Sequence, residues 1–111
     1  MWIITDRGFY STVDKGDREG YLCVRARIRA DLERLCELPS MTSYADGIEQ
    51  SELADYRYRI YARRADWAAA LEQLGREIDY PNFKDAVEDR QGSDRAGHYY
   101  SVWSALARLQ D

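Results

Sequence analysis

The chain predicts an α+β fold. Helices should cover one face of a small, mostly antiparallel four-stranded sheet, giving a two-layer sandwich. Two observations carry this. The segments Leu22-Cys23-Val24-Arg25-Ala26-Arg27 and Tyr56-Arg57-Tyr58-Arg59-Ile60-Tyr61-Ala62-Arg63 interleave arginine with apolar residues, the period-two pattern of a half-buried strand. Elsewhere, apolar residues recur at three- and four-residue intervals, as in amphipathic helices.

In chain order, residues 2–5 and 9–13 are β-rich runs on either side of Asp6-Arg7-Gly8, and read as a hairpin about that turn. Residues 14–20 are a charged loop, and residues 21–27 a third strand. The first helix follows at once. Ile28, Leu32, Leu35 and Leu38 form its apolar stripe, Asp31, Glu33, Arg34 and Glu37 face away, and Pro39 ends it. Residues 40–55 form an acidic connection, long for a compact domain, in which residues 45–53 suit a short helix. Residues 56–62 are the fourth strand. The second helix covers residues 64–78, with Trp67, Leu71, Leu74 and Ile78 as its stripe. A third helix starts near Pro81. Phe83 and Val87 are its buried pair, Asp79 its cap, and Tyr80 and Phe83 staples against the core. Gln91-Gly92-Ser93 breaks it, Ser93 caps the last helix, and Tyr99, Val102, Trp103, Leu106 and Leu109 are the final stripe. The order is βββαβααα. Its third strand, first helix and fourth strand make a βαβ-like unit, and a ferredoxin-like variant is one such arrangement.

A length of 111 residues suits one α+β domain over 1–111, with the 40–55 acidic loop inside it. A hydrophobic content of 45%, three Trp and nine Tyr exclude wholesale disorder. No apolar run approaches the roughly 20 residues that span a bilayer. The start, Met1-Trp2-Ile3-Ile4-Thr5, lacks the charged region and cleavage pattern of a signal peptide. The expected location is cytoplasmic. Cys23 and Cys36 stand singly, without zinc or redox spacing, and read as small buried thiols, with a bridge between them as the alternative.

The net charge is −4, and its excess lies in one place. Residues 36–56 hold five acids (Glu37, Asp46, Glu49, Glu52, Asp55) and no Lys or Arg. Such a balance opposes tight nonspecific binding to nucleic acid, where cations must displace counterions. It suits a basic partner instead. Fourteen of the sixteen basic residues are Arg, which favours ordered ion-pair networks or interfaces.

The leading functional candidate is therefore the Arg/Tyr sheet face: Arg25, Arg27, Arg57, Arg59, Tyr61 and Arg63, with Tyr10 beside them. Three readings compete for it. One is a solvated face whose arginines pair with acids such as Asp31 or Glu52. Another is a protein interface. A third is single-stranded nucleic-acid binding, with bases stacked on aromatics and arginines on phosphates. The acidic residues Asp46, Glu49 and Glu52 read as a solvated loop, or as a decoy for the cationic groove of a nucleic-acid-handling partner.

Catalytic signals are sparse. His98 is the only histidine, with Asp94 and Arg95 one turn before it. Asp6 follows the first strand, as an Asp does in small ferredoxin-like nucleases such as the Cas2 proteins. Asp85, Glu88 and Asp89 share one short helix. No phosphate loop occurs, and no metal or cofactor is expected. A small metal-dependent nuclease using Asp6 or His98 stands as the enzymatic alternative.

Val24-Arg25-Ala26-Arg27, Ile78-Asp79-Tyr80 with Asn82-Phe83-Lys84, and Val102-Trp103-Ser104-Ala105-Leu106 resemble a group of short uncharacterised bacterial proteins over most of the chain. That resemblance implies no activity and no catalytic residues. In size and lack of a catalytic motif, the chain is also similar to phage- and plasmid-borne inhibitors of bacterial defence, including anti-CRISPR proteins. The function expected is a non-catalytic protein-binding or inhibitory module acting on a defence-type nucleoprotein complex. A homodimer through the broad apolar face of Tyr99, Tyr100, Trp103 and Leu106 is a further expectation.

Overall fold

The computed structural model describes residues 1–110 and is α+β, with five strands rather than the four expected. In order these are β1 (Trp2–Ile4), β2 (Phe9–Val13), β3 (Tyr21–Ala26), α1 (Arg29–Leu35), a 3₁₀ helix (Pro39–Gly47), β4 (Glu49–Gln50), β5 (Tyr58–Arg63), α2 (Arg64–Arg76), α3 (Phe83–Gln91), α4 (Ser93–Ala107) and a last 3₁₀ turn (Arg108–Gln110). The sheet order is β1-β2-β3-β5-β4, and every neighbouring pair is antiparallel.

The βαβ-like unit is not formed, and the ferredoxin-like arrangement falls with it. A parallel crossover must carry the chain back along the full strand. With seven residues, α1 reaches only about 10 Å, whereas six-residue β3 extends about 20 Å. The acidic stretch is also more ordered than a loop. It makes the 3₁₀ helix and then β4, whose Glu49 and Gln50 pair with Arg59 and Tyr58. The short helix over 45–53 is absent.

Alternation sorts the two sheet faces as the sequence suggests. Tyr10, Leu22, Val24, Ala26, Ile60 and Ala62 point into the core. They meet Leu32 and Leu35 of α1, Met41 of the 3₁₀ helix, and Trp67 and Ala70 of α2, all buried. The ends of two expected stripes fall outside: Ile28 is exposed ahead of α1, and Ile78 lies beyond the end of α2.

The β1–β2 turn is organised by Thr5. Its amide donates to the Gly8 carbonyl, and its hydroxyl accepts from the Arg7 and Gly8 amides. Gly8 has a second reason to be glycine, because a Cβ there would lie 2.6 Å from Asp31 Cγ.

The helical hairpin α3–α4 stands apart, each helix packing chiefly on the other. Asn82, not Asp79, caps α3, its Oδ1 accepting from the Asp85 amide. Gly92, at φ +92°, makes the corner into α4, and Ser93 provides no side-chain cap. The projecting hairpin explains the radius of gyration of 14.5 Å and the extents of 40 × 30 × 25 Å, against about 13 Å for a compact chain of this length.

Candidate interaction surfaces

Arg25, Arg59, Tyr61 and Arg63 do share the face opposite the core. Ser11, Arg25, Arg59 and Glu49 even stand in one row across four strands. Like charges directly opposite one another are destabilising, so Arg25 and Arg59 need local partners, and the chain supplies them. Tyr56 folds back over the sheet and is buried at 4% exposure. The guanidiniums of Arg25 and Arg27 lie 4.6 and 4.2 Å from its ring centroid, within cation–π range. Arg25 also donates to Ser11 Oγ at 2.6 Å, Arg27 to the Asp55 carbonyl at 2.5 Å, and Arg59 to the Tyr56 carbonyl at 3.1 Å. The aromatic row continues through Phe9 to Trp2. These arginines therefore clamp the segment between β4 and β5 onto the sheet rather than forming an open cationic platform.

The remaining members are also engaged. Arg57 precedes β5 rather than belonging to it, and lies 3.4 Å from Glu52. Tyr61 donates to Asp17 at 2.8 Å, a bond that pushes its hydroxyl up to about 12, and Arg18 stacks 3.8 Å above its ring. Arg63 lies over Tyr21. Glu49 is 4.0 Å from Arg18. Asp46, Glu49 and Glu52 are exposed along the β4 side of the sheet. Tyr10 belongs to the opposite face, buried in the core.

The polar centre of the molecule is one that sequence reasoning placed in solvent. Asp31 is 2% exposed. Its Oδ1 accepts from Arg34 Nη2 at 2.5 Å and Arg95 Nη2 at 3.1 Å, and its Oδ2 from Arg95 Nη1 at 2.9 Å and the Phe9 amide at 3.0 Å. Four donors thus meet the roughly four lone-pair sites of a carboxylate. Tyr10 donates to the Asp31 carbonyl. Burial, with Asp31 beside it, pushes the Tyr10 hydroxyl far above the ordinary tyrosine range. Around this centre, Arg7 pairs with Glu77, Arg90 with Asp6, and Gln91 donates to the Asp6 carbonyl. Arg90, Gln91 and Arg95 thereby fasten the α3–α4 hairpin to the β1–β2 turn and α1, while Arg7 ties that turn to Glu77 at the end of α2. One sequence signal for it was missed: Gly8 and Asp31 each look unremarkable alone, but only together do they leave room for a carboxylate.

Beyond that fastening, the hairpin is apolar and open. A groove of about 460 Å³ runs between β1, α3 and α4, lined by Ile4, Phe83, Val87, Ala96, Tyr99 and Trp103 among others. Phe83 stacks on Tyr99 at 5.8 Å, marking where α3 ends alongside α4. Past that point the expected core stripe of α4 is uncovered. Val102, Trp103, Leu106 and Leu109 are exposed, Trp103 by 65% and Leu109 by 82%. The stripe was legible in the sequence, but its exposure was not, because periodicity reports a face and not what lies against it.

The catalytic candidates do not assemble. Asp6 is held by Arg90 at 3.0 Å and His98 is exposed on α4. Among the described residues, no group of three or more His, Cys, Asp or Glu could hold a metal ion. Cys23 and Cys36 are buried and unbridged. Among these residues no helix is long and apolar enough to cross a membrane. Comparison with family models, curated proteins and solved structures returns no match.

Proposed function

We propose that this chain is a non-catalytic protein-binding module whose contact surface is the open face of α4 and the groove beside it. The carrying observation is the run of exposed apolar side chains Tyr100, Val102, Trp103, Leu106 and Leu109 continuing directly from that groove. Contiguous apolar surface of this kind marks interaction sites, and tryptophan and tyrosine are the commonest interface anchors. The finer reading, inhibition of a cationic partner that handles nucleic acid, draws support from the net charge of −4 and the exposed Asp46, Glu49 and Glu52. In that case the acids steer the encounter and the α4 face supplies the affinity.

Photo-crosslinking tests the surface. A benzophenone amino acid replaces Tyr100, and nuclease-treated lysate is irradiated. The expected result is an adduct of protein mass, to a second copy or to another chain, that disappears when Trp103→Glu is added. An adduct to nucleic acid, or no adduct, defeats the reading. Glu49→Lys with Glu52→Lys tests the steering. Association with the captured protein should slow several-fold at low salt and much less at high salt.

A further inference from the structure

Nine residues of α3 lie beside fifteen of α4. At 1.5 Å per residue the longer helix overshoots its partner by about 9 Å. The overshoot leaves Trp103 and Leu106 exposed along the groove that Ile4 borders. Ile4 is also the last residue of β1, and β1 is an edge of the sheet. Two open features, one apolar and one polar, thus meet at one place.

The polar feature is backbone. In an antiparallel ladder, hydrogen-bonded and non-bonded pairs alternate. The Thr12 amide donates to the Met1 carbonyl, and the Thr5 amide to the Gly8 carbonyl. Residues 1, 3 and 5 therefore turn their N–H and C=O groups toward β2. Trp2 and Ile4, in register with Ser11 and Phe9, turn theirs outward. Among the described residues, neither their amides nor their carbonyls have a hydrogen-bond partner. An edge of this kind is a template for another strand, and proteins commonly blunt it with charge, proline or a bulge. The opposite edge is blunted, since β4 has only two residues and one is Glu49. Trp2-Ile3-Ile4 carries neither charge nor proline.

We infer that the partner on this face supplies an extended segment, which joins the sheet beside β1 and lays alternate side chains into the groove. This rests on the protein-binding reading and states the form of its partner. A strand added there lies about 4.8 Å beyond β1, along the groove. Its backbone takes up the free groups of Trp2 and Ile4, which gives affinity without sequence preference. Its side chains alternate, so every second one reaches the apolar wall of Val87, Tyr99, Trp103 and Leu106, and apolar residues are needed there at a period of two. An amphipathic helix in the same groove would cover that wall but make no use of the edge, and its anchors would recur at three and four residues.

A phage-displayed library of random peptides, selected on the full chain, tests this. Recovered peptides should alternate apolar with polar residues and lack proline within that run. A synthetic peptide of the recovered consensus should slow deuterium exchange at the Trp2 and Ile4 amides by about tenfold or more, read by NMR on the wild-type chain. Trp103→Glu should abolish its binding. Trp2→Pro removes one outward donor and spares the bonds to β2, so it should bind about tenfold more weakly than Trp2→Ala. Apolar spacing of three and four residues, binding that leaves both amides unprotected, equal affinity of Trp2→Pro and Trp2→Ala, or recovery of no peptide each overturns the inference. If the Tyr100 probe nonetheless captures a protein, strand addition fails and the binding reading stands. If it captures none, both fail.

Discussion

Asp31 shows how much a single buried carboxylate organises. It receives two guanidiniums and a backbone amide from three separate elements, so its removal leaves two partly buried arginines without their shared carboxylate. Asp31→Asn should cost about 3 kcal/mol, measured by urea unfolding, because breaking one member of a buried ion pair strands the other. That is a large share of the roughly 5–15 kcal/mol by which a domain is stable. A cost below 1 kcal/mol on the same scale would show that the arginines find water instead. Thr12 presents the opposite case. Its Oγ1 is buried without a hydrogen-bond partner, and it sits beside Val24 in the sheet. Thr12→Val should raise stability by about 1 kcal/mol, since an unsatisfied hydroxyl carries its full desolvation cost. Cys36 adds a dependence on pH. Burial, with Glu33 nearby, pushes its thiol up to about 11. A group that binds its proton more tightly when folded stabilises the fold below its unfolded pKa, near 9, and loses that contribution as pH rises to about 11. Unfolding midpoints should therefore fall over this window, and Cys36→Ala should flatten the slope.

At the scale of elements, the strands were the more legible half of the chain. Arginine alternating with apolar residues located β3 and β5 and assigned their faces correctly, because the period of a strand is fixed by its geometry. What the arginines do there was not legible. Whether a cation faces solvent or an aromatic ring depends on where Tyr56 turns, and that is set by the path between β4 and β5. Tyr56→Ala tests this clamp. Losing a buried ring that two guanidiniums stack against should cost about 3 kcal/mol, and limited proteolysis within residues 51–57 should be faster than in the wild-type chain. Equal resistance in both proteins would mean that the arginines hold the segment through its carbonyls alone. The helices were read from their stripes, and α1 and α2 turn theirs toward the sheet except at Ile28 and Ile78, which lie outside the helices and are exposed. In α4 the same pattern leads outside the molecule, because α3 is too short to cover it.

The whole molecule divides into a sheet with α1 and α2 on one face, joined through apolar side chains, and a hairpin of α3 and α4 joined to it largely through charge. Such a seam should open before the core does. Amides of α3 and α4 should exchange with deuterium faster than those of β3 and β5, and Asp31→Asn should widen the gap. Uniform exchange across both parts would show one cooperative unit. The overall class was readable from pattern, but this division was not, since the partners across the seam lie as far apart in sequence as Asp6 and Gln91, or Asp31 and Arg95. The overshoot of α4 has a consequence of its own. Truncating those last turns should leave folding untouched, yet while present they are a solubility liability, a greasy end that raises the hazard of nonspecific clumping in a crowded cell. A segment that is neutral to stability and harmful to solubility persists only if something outside the fold depends on it.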